Sequence, residues 1–150
     1  MPHPSNEPSC SIERSLGLLG ERWTLLILRG IYSGCYRFSE LQATLDIASN
    51  LLSTRLKTLE AGGVIRKLDY QMPAGSRRRA SYHLTPAGEE LRLILAAFQQ
   101  WGDDNCPRPS GPSAFRRQRS TGQAVHVGFI DDEGREVAVS DVHFVAAPES

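Results

Sequence analysis

Three consecutive arginines, Arg77, Arg78 and Arg79, close the segment QMPAGSRRRA, and Arg66 and Lys67 stand shortly before it. Guanidinium groups packed this densely repel one another unless an anion balances them. Their natural chemistry is the binding of phosphate oxygens, which a guanidinium fork contacts two at a time. Just upstream, in SNLLSTRLKTLEA, Asn50, Ser53, Thr54 and Lys57 recur at helical spacing. These side chains donate and accept hydrogen bonds at lengths suited to base edges and phosphates. Ser49 falls where a helix would begin, and unpaired backbone N–H groups there favour a phosphate. Arg55 and Thr58 fall at the margins of that polar face.

Catalytic chemistry finds little to work with. The four histidines, His3, His83, His126 and His143, are scattered along the chain. No Ser/His/Asp grouping, glycine-rich phosphate loop or paired-carboxylate motif occurs. Cys10, Cys35 and Cys106 are too few and too widely spaced for a disulfide framework or a CxxC metal site. Neither an enzyme, a metal centre nor a cofactor is expected.

The elements that must position the cations follow from periodicity and punctuation. A helix should start near Cys10-Ser11, with Ile12, Leu16 and Leu19 as its apolar stripe, and break at Gly20-Glu21-Arg22. WTLLILRGIYSG is too apolar for a surface helix and should be the central buried one, ending around Ser33-Gly34. RFSELQATL places Phe38, Leu41 and Leu45 at helical spacing, with Ser39 as N-cap. After a turn at Asp46 to Ala48, Ser49 should cap a further helix running to about Ala61, its Leu52, Leu56 and Leu59 facing inward. Gly62-Gly63 stops it. VIRKLDY and SYHLT read as strands joined by the arginine-bearing loop. Thr85 then caps a helix with Pro86 in its first position, continuing through Leu91, Ile94, Leu95, Phe98 and Trp101.

At 150 residues, with 40% hydrophobic and 23% charged side chains, the chain is long enough for one domain with an appended piece. Boundaries are expected as a loose arm over 1–9, a principal domain over 10–106, a Pro/Ser/Gly/Arg-rich linker over 107–122 and a β-hairpin over 123–150, turning at Asp132-Glu133-Gly134. The formal net charge is zero. Basic character is instead local, with 7 Lys/Arg against 2 acids between Arg55 and Arg79. That pattern suits a contact face. No apolar run reaches the roughly 18 residues of a membrane span, and the first residues lack a secretory layout. A cytoplasmic protein with reduced thiols is expected.

In order, the elements are four helices, two strands and a helix. The expected fold is mainly α with a small antiparallel β wing: a winged helix-turn-helix with a C-terminal hairpin. In that arrangement Ser49, Asn50, Ser53, Thr54, Arg55 and Lys57 lie on a helix that can enter the major groove. Arg37 and Ser39 belong to the helix that crosses the backbone. Arg66, Lys67, Arg77, Arg78 and Arg79 lie on the wing, within reach of phosphates or a narrow minor groove.

The run from CSIERSLGLLGERWTLLILRG through RFSEL to LLSTRLKTLEAGGVI, then RRRASYHLTPAGEEL and WG, resembles the HxlR family of bacterial transcriptional regulators, winged-helix proteins related to MarR. The likeness covers roughly Cys10 to Gly102. It implies a homodimer on a palindromic double-stranded DNA operator, with dimer contacts from the first and last helices of the domain. Here those would be Ile12, Leu16, Leu19, Leu91, Ile94, Leu95, Phe98 and Trp101. The chain departs from the family pattern at Ser11, often proline, and at Asn50, often basic, so no relative's operator transfers to it.

In some members the cysteine before the first helix senses oxidants or electrophiles, and Cys10 matches that position. A helix N-terminus stabilises a thiolate, which suits such a role. Two Cys10 thiols, or Cys10 and Cys106, are the candidate partners; Cys35 reads as structural. Two alternatives stand beside this reading. One is a winged-helix module for protein–protein contact; the other is a regulator that takes a small molecule near the dimer interface among Trp23, Phe98 and Trp101.

Overall fold

The computed structural model describes residues 10–70 and 79–148. Its elements are α1 (Ser11–Leu19), α2 (Arg22–Tyr32), α3 (Phe38–Leu45), α4 (Ser49–Ala61), β1 (Ile65–Tyr70), β2 (Arg79–Leu84), α5 (Pro86–Glu90), α6 (Arg92–Asn105), β3 (Phe129–Ile130), β4 (Glu136–Val137) and a 3₁₀ turn over Val139–Asp141. The chain divides into two compact units, the boundary falling between Leu95 and Ala96.

The first unit is a winged helix-turn-helix. Ile27, Leu28 and Ile31 of α2 meet Leu41 of α3 and Leu52, Leu56 and Leu59 of α4 in a cluster almost free of solvent, which Val64, Ile65 and Tyr82 of the ribbon complete. Each such side chain contributes roughly 1.5–3 kcal/mol by leaving water. α2 is therefore the central helix its composition announced. Leu19 of α1 joins the same cluster, and Leu91 and Leu95 pack partly buried against it.

Local chemistry sets the joints. α3 begins two residues earlier than expected, with Arg37 in the cap position; Ser39 is its second helical residue and caps nothing. The Glu40 carboxylate performs that task, accepting the backbone N–H groups of Tyr36 and Arg37 at 3.0 and 3.1 Å. Asp46 ends α3 in the left-handed conformation (φ 51°), a turn that brings extended Ala48 to the cap of α4. Ser49 is thus the first residue of α4 rather than its cap. After Gly62 and left-handed Gly63 (φ 73°), β1 and β2 pair antiparallel from Ile65↔Leu84 to Tyr70↔Arg79. Arg79, expected in the loop, is a strand residue, because the ladder continues as far as Tyr70 offers it a partner. Arg77 and Arg78 lie outside the described residues.

Thr85 caps α5 as expected, its hydroxyl oxygen accepting from Gly88 N at 3.2 Å, with Pro86 at the first position. The expected single helix from Pro86 is broken at Leu91, whose N–H bonds three residues back to Gly88 O. Gly88 explains the tight passage. A Cβ there would lie 2.1 Å from the Val64 carbonyl oxygen, so only glycine allows this approach of α5 to the ribbon. The Tyr32 hydroxyl donates to the Gly88 carbonyl. Burial, and then the Glu89 carboxylate, hold the Tyr32 phenol above its ordinary pKa and keep it a neutral donor.

In the second unit the segment read as a linker folds back on α6. Gln99 donates to Ala114 O at 3.1 Å and accepts from Arg116. Gln100 makes a two-way pair with the backbone of Val127, at 2.9 and 2.8 Å, as a strand neighbour would. The hairpin is present, but its ladder has only two pairs, Phe129↔Val137 and Ile130↔Glu136. Its turn is tied by Asp131, whose carboxylate accepts the N–H groups of Glu133 and Arg135. The Arg135 N–H above all holds this carboxyl below its usual range.

Candidate nucleic-acid interface

The helix-turn-helix is α3–α4, and its outward chemistry is set by the leucines that face inward. With Leu52, Leu56 and Leu59 buried, helical geometry turns Asn50, Thr54 and Lys57 to solvent, and all three are exposed. Ser53 flanks them half-buried, and Ser49 is exposed at the helix start. The Thr54 hydroxyl donates to Asn50 O at 2.9 Å, which leaves its oxygen lone pairs and methyl group facing outward. Asn50 Oδ1 accepts from Leu51 N, leaving the amide –NH₂ to a ligand. No acid lies in the first turn, so its free N–H groups and dipole are unopposed.

Arg55 stands apart from this face. Its guanidinium turns to Glu21, at 3.2 Å, at the head of α2; the side chain is 22% exposed and its Nε has no partner among the described residues. It ties α4 to the α1–α2 turn. Arg55→Met is expected to leave stability within about 1 kcal/mol, since Glu21 is mostly solvated and loses little with its partner. It should also leave the salt slope of DNA binding unchanged. A slope change like that of a Lys57 variant would put Arg55 on the contact face after all.

Arg37, Ser39 and Arg79, distant in sequence, line one cleft with Phe38, Tyr70 and Ala80. The Arg37 guanidinium lies over the Tyr70 ring, 5.1 Å from its centre. This stacking holds a cation at the start of α3 without neutralising it. The backbone fastens the same corner. Arg37 bridges Ser81, and Tyr36 O accepts from Tyr82 N at 2.7 Å. The Tyr36 ring stacks on His83 at 5.0 Å, and His83 Nε2 is 2.8 Å from Ser81 Oγ. Tyr70, Tyr36 and His83 escaped the sequence reading. Contacts spanning dozens of residues leave no periodic signal, and an aromatic residue near arginines was the one cue. Arg66 and Lys67 are exposed on β1; alternation sends them to opposite faces of the ribbon.

Among the dimer candidates, Ile12, Leu16, Ile94, Phe98 and Trp101 are exposed, whereas Leu19, Leu91 and Leu95 are engaged in the core of the first unit. Cys10 is exposed at the cap of α1, Cys106 is exposed, and Cys35 is half-buried, 3.6 Å from Thr44 Oγ1. Trp23 packs partly buried against the core. Among the described residues no cluster of His, Cys, Asp and Glu could hold a metal, and no helix is long and apolar enough to cross a membrane.

Comparison with known proteins agrees with this geometry. The model of the HxlR-like helix-turn-helix family matches residues 18–110. The uncharacterized HTH-type transcriptional regulator Rv3095 of Mycobacterium tuberculosis is 40% identical over 133 residues, covering 88% of this chain and 82% of that one. Among solved structures, PA1607, described as a candidate transcription factor, superposes with a TM-score of 0.79 at 32% identity over 94% of this chain and 97% of its own. The redox regulator HypR in its reduced form matches at 0.58 and 26% identity, over 65% and 94%. The chain belongs to the HxlR family of helix-turn-helix transcriptional regulators.

Proposed function

We propose that the protein acts as a homodimer on a palindromic DNA operator, placing α4 in the major groove and the β1–β2 ribbon over the adjoining backbone. The observation that carries this is the exposed polar face of Asn50, Thr54 and Lys57, on the second helix of a helix-turn-helix and free of acids as far as Glu60. Asn50 and Thr54 read base edges; Lys57, Arg66, Lys67, Arg77, Arg78 and Arg79 contact phosphates or the minor groove; Arg37 and Ser39 meet the backbone at the start of α3. Arg55 positions α4 through Glu21. The exposed stripes of α1 (Ile12, Leu16) and α6 (Ile94, Phe98, Trp101) supply the dimer contacts. The chain works in the cytoplasm as a regulator rather than an enzyme.

Oxidation of exposed Cys10, at the head of α1, adjusts DNA affinity by altering the dimer. The similarity to HypR, itself named a redox regulator, supports this. Binding to DNA from the protein's own upstream region, across a salt series, reduced and then treated with diamide, tests both parts. Selective binding lost on oxidation and restored by thiol is expected. Selective binding indifferent to diamide would remove Cys10 from the mechanism and turn the search to a small-molecule effector. Binding to a protein partner, insensitive to salt, would favour a protein-contact role instead. Thr54→Ala should cost about 1–3 kcal/mol on the operator and little on random DNA, relaxing the preference at one base pair per half-site. An equal loss on both DNAs would show that Thr54 reads no base.

A further inference from the structure

The second unit does not cover itself. Among its described residues none is buried. Phe115, Ile130, Val139, Phe144 and Val145 are between 70% and 91% exposed, and Phe98 and Trp101 of α6, in the same unit, are 60% and 62% exposed. A piece of this length with no buried side chain cannot offset the entropy of ordering its own backbone. Its backbone is nevertheless specifically arranged, through the Gln99 and Gln100 contacts and the Asp131 turn. PA1607, solved as a crystal structure, superposes over nearly the whole of this chain, so the arrangement recurs in a protein of the same build. Something must therefore cover these side chains.

We infer that this C-terminal unit is a self-association surface, covered by a second copy of the chain. The inference deepens the homodimer reading and rests on it. Three observations select that occupant. With four aromatic rings, each able to bury about 150–250 Å², and three aliphatic side chains, the unit has enough apolar surface to contribute substantially to the ~800 Å² per partner of a stable interface. Charge argues against a polyanion, since the unit from Ala96 to Ser150 carries 5 basic and 8 acidic residues. Salt screens the modest repulsion between two such surfaces, whereas a polyanion such as DNA is repelled there. The unit also includes the α6 residues Phe98 and Trp101, so its apolar surface shares a helix with the proposed dimer stripe, and a self-complementary patch closes by two-fold symmetry.

The test uses full-length protein carrying Phe144→Ser with Val145→Ser, and separately Ile130→Ser, with Phe98→Ser as the reference for α6. Sedimentation equilibrium gives the association constant, and circular dichroism gives Tm at a dilution where each protein is monomeric. Both tail variants are expected to weaken association by about tenfold or more, with the monomer Tm unchanged. Association of the parent and the tail variants at equal strength, with Phe98→Ser impaired, would overturn the inference and leave the homodimer standing. A lowered monomer Tm with unchanged association would also overturn it, because the tail would then pack on its own chain. A parent that is monomeric at every concentration would remove both.

Discussion

Reversing two charges, Lys57→Glu with Arg66→Glu, is expected to weaken DNA binding on the order of 100-fold at moderate salt, on operator and random sequence alike. Lys57 is exposed on the outward face of α4, which carries no acid before Glu60, and Arg66 is exposed at the base of β1, which follows α4 through Gly62-Gly63. If each neutralises one phosphate, removing both lowers the slope of log K against log salt by about 2, and the added carboxylates repel the backbone further. Neither side chain forms an ion pair among the described residues, so folding stability should stay within about 0.5 kcal/mol. The measurement is a salt series by fluorescence anisotropy on parent and variant, with urea unfolding beside it. Unchanged affinity in a folded variant would place the DNA surface elsewhere.

Leu52→Ala acts on the same helix from the other side and should fail differently. Leu52 is fully buried in the core cluster that α2, α3 and α4 share. Its truncation removes transfer energy and leaves a cavity that rigid neighbours fill poorly, a loss of about 2–5 kcal/mol. Small domains hold only about 5–15 kcal/mol in all, so the urea midpoint should fall steeply. Below its lowered melting transition the variant should still bind DNA with a nearly normal salt slope, because no charge has changed. A loss under about 1 kcal/mol would mean that α4 is not anchored through this leucine, and its outward face would lose its fixed orientation.

These two variants mark how far the residues could be read in one dimension. The leucine spacing of α4 specified both faces at once, since a helix with one buried stripe has only one orientation left. The Gly62-Gly63 stop, the Thr85-Pro86 start and the alternation of the ribbon were equally local, and each element formed close to where its residues placed it. Capping was less legible. Ser39 and Ser49 are good cap types, yet the grip of Glu40 on the Tyr36 and Arg37 amides shifted the start of α3 by two residues, and the left-handed turn at Asp46 shifted that of α4 by one. Arg55 shows the same limit at a side chain. Its type suits phosphate, but its partner is an acid from another helix, which no spacing within α4 could reveal.

What the sequence determined alone, then, was the winged helix-turn-helix, the leucine-set orientation of α4 and an outer face without acids as far as Glu60, because these depend on periodicities of a few residues. What only the tertiary structure decided was every pairing across the chain: Arg37 over Tyr70 beside Arg79, Arg55 on Glu21, Gly88 against Val64, and the glutamines of α6 holding a segment that composition alone made a linker. Such contacts arise when packing brings distant residues within a few ångströms, and the chain carries no local periodicity that records them.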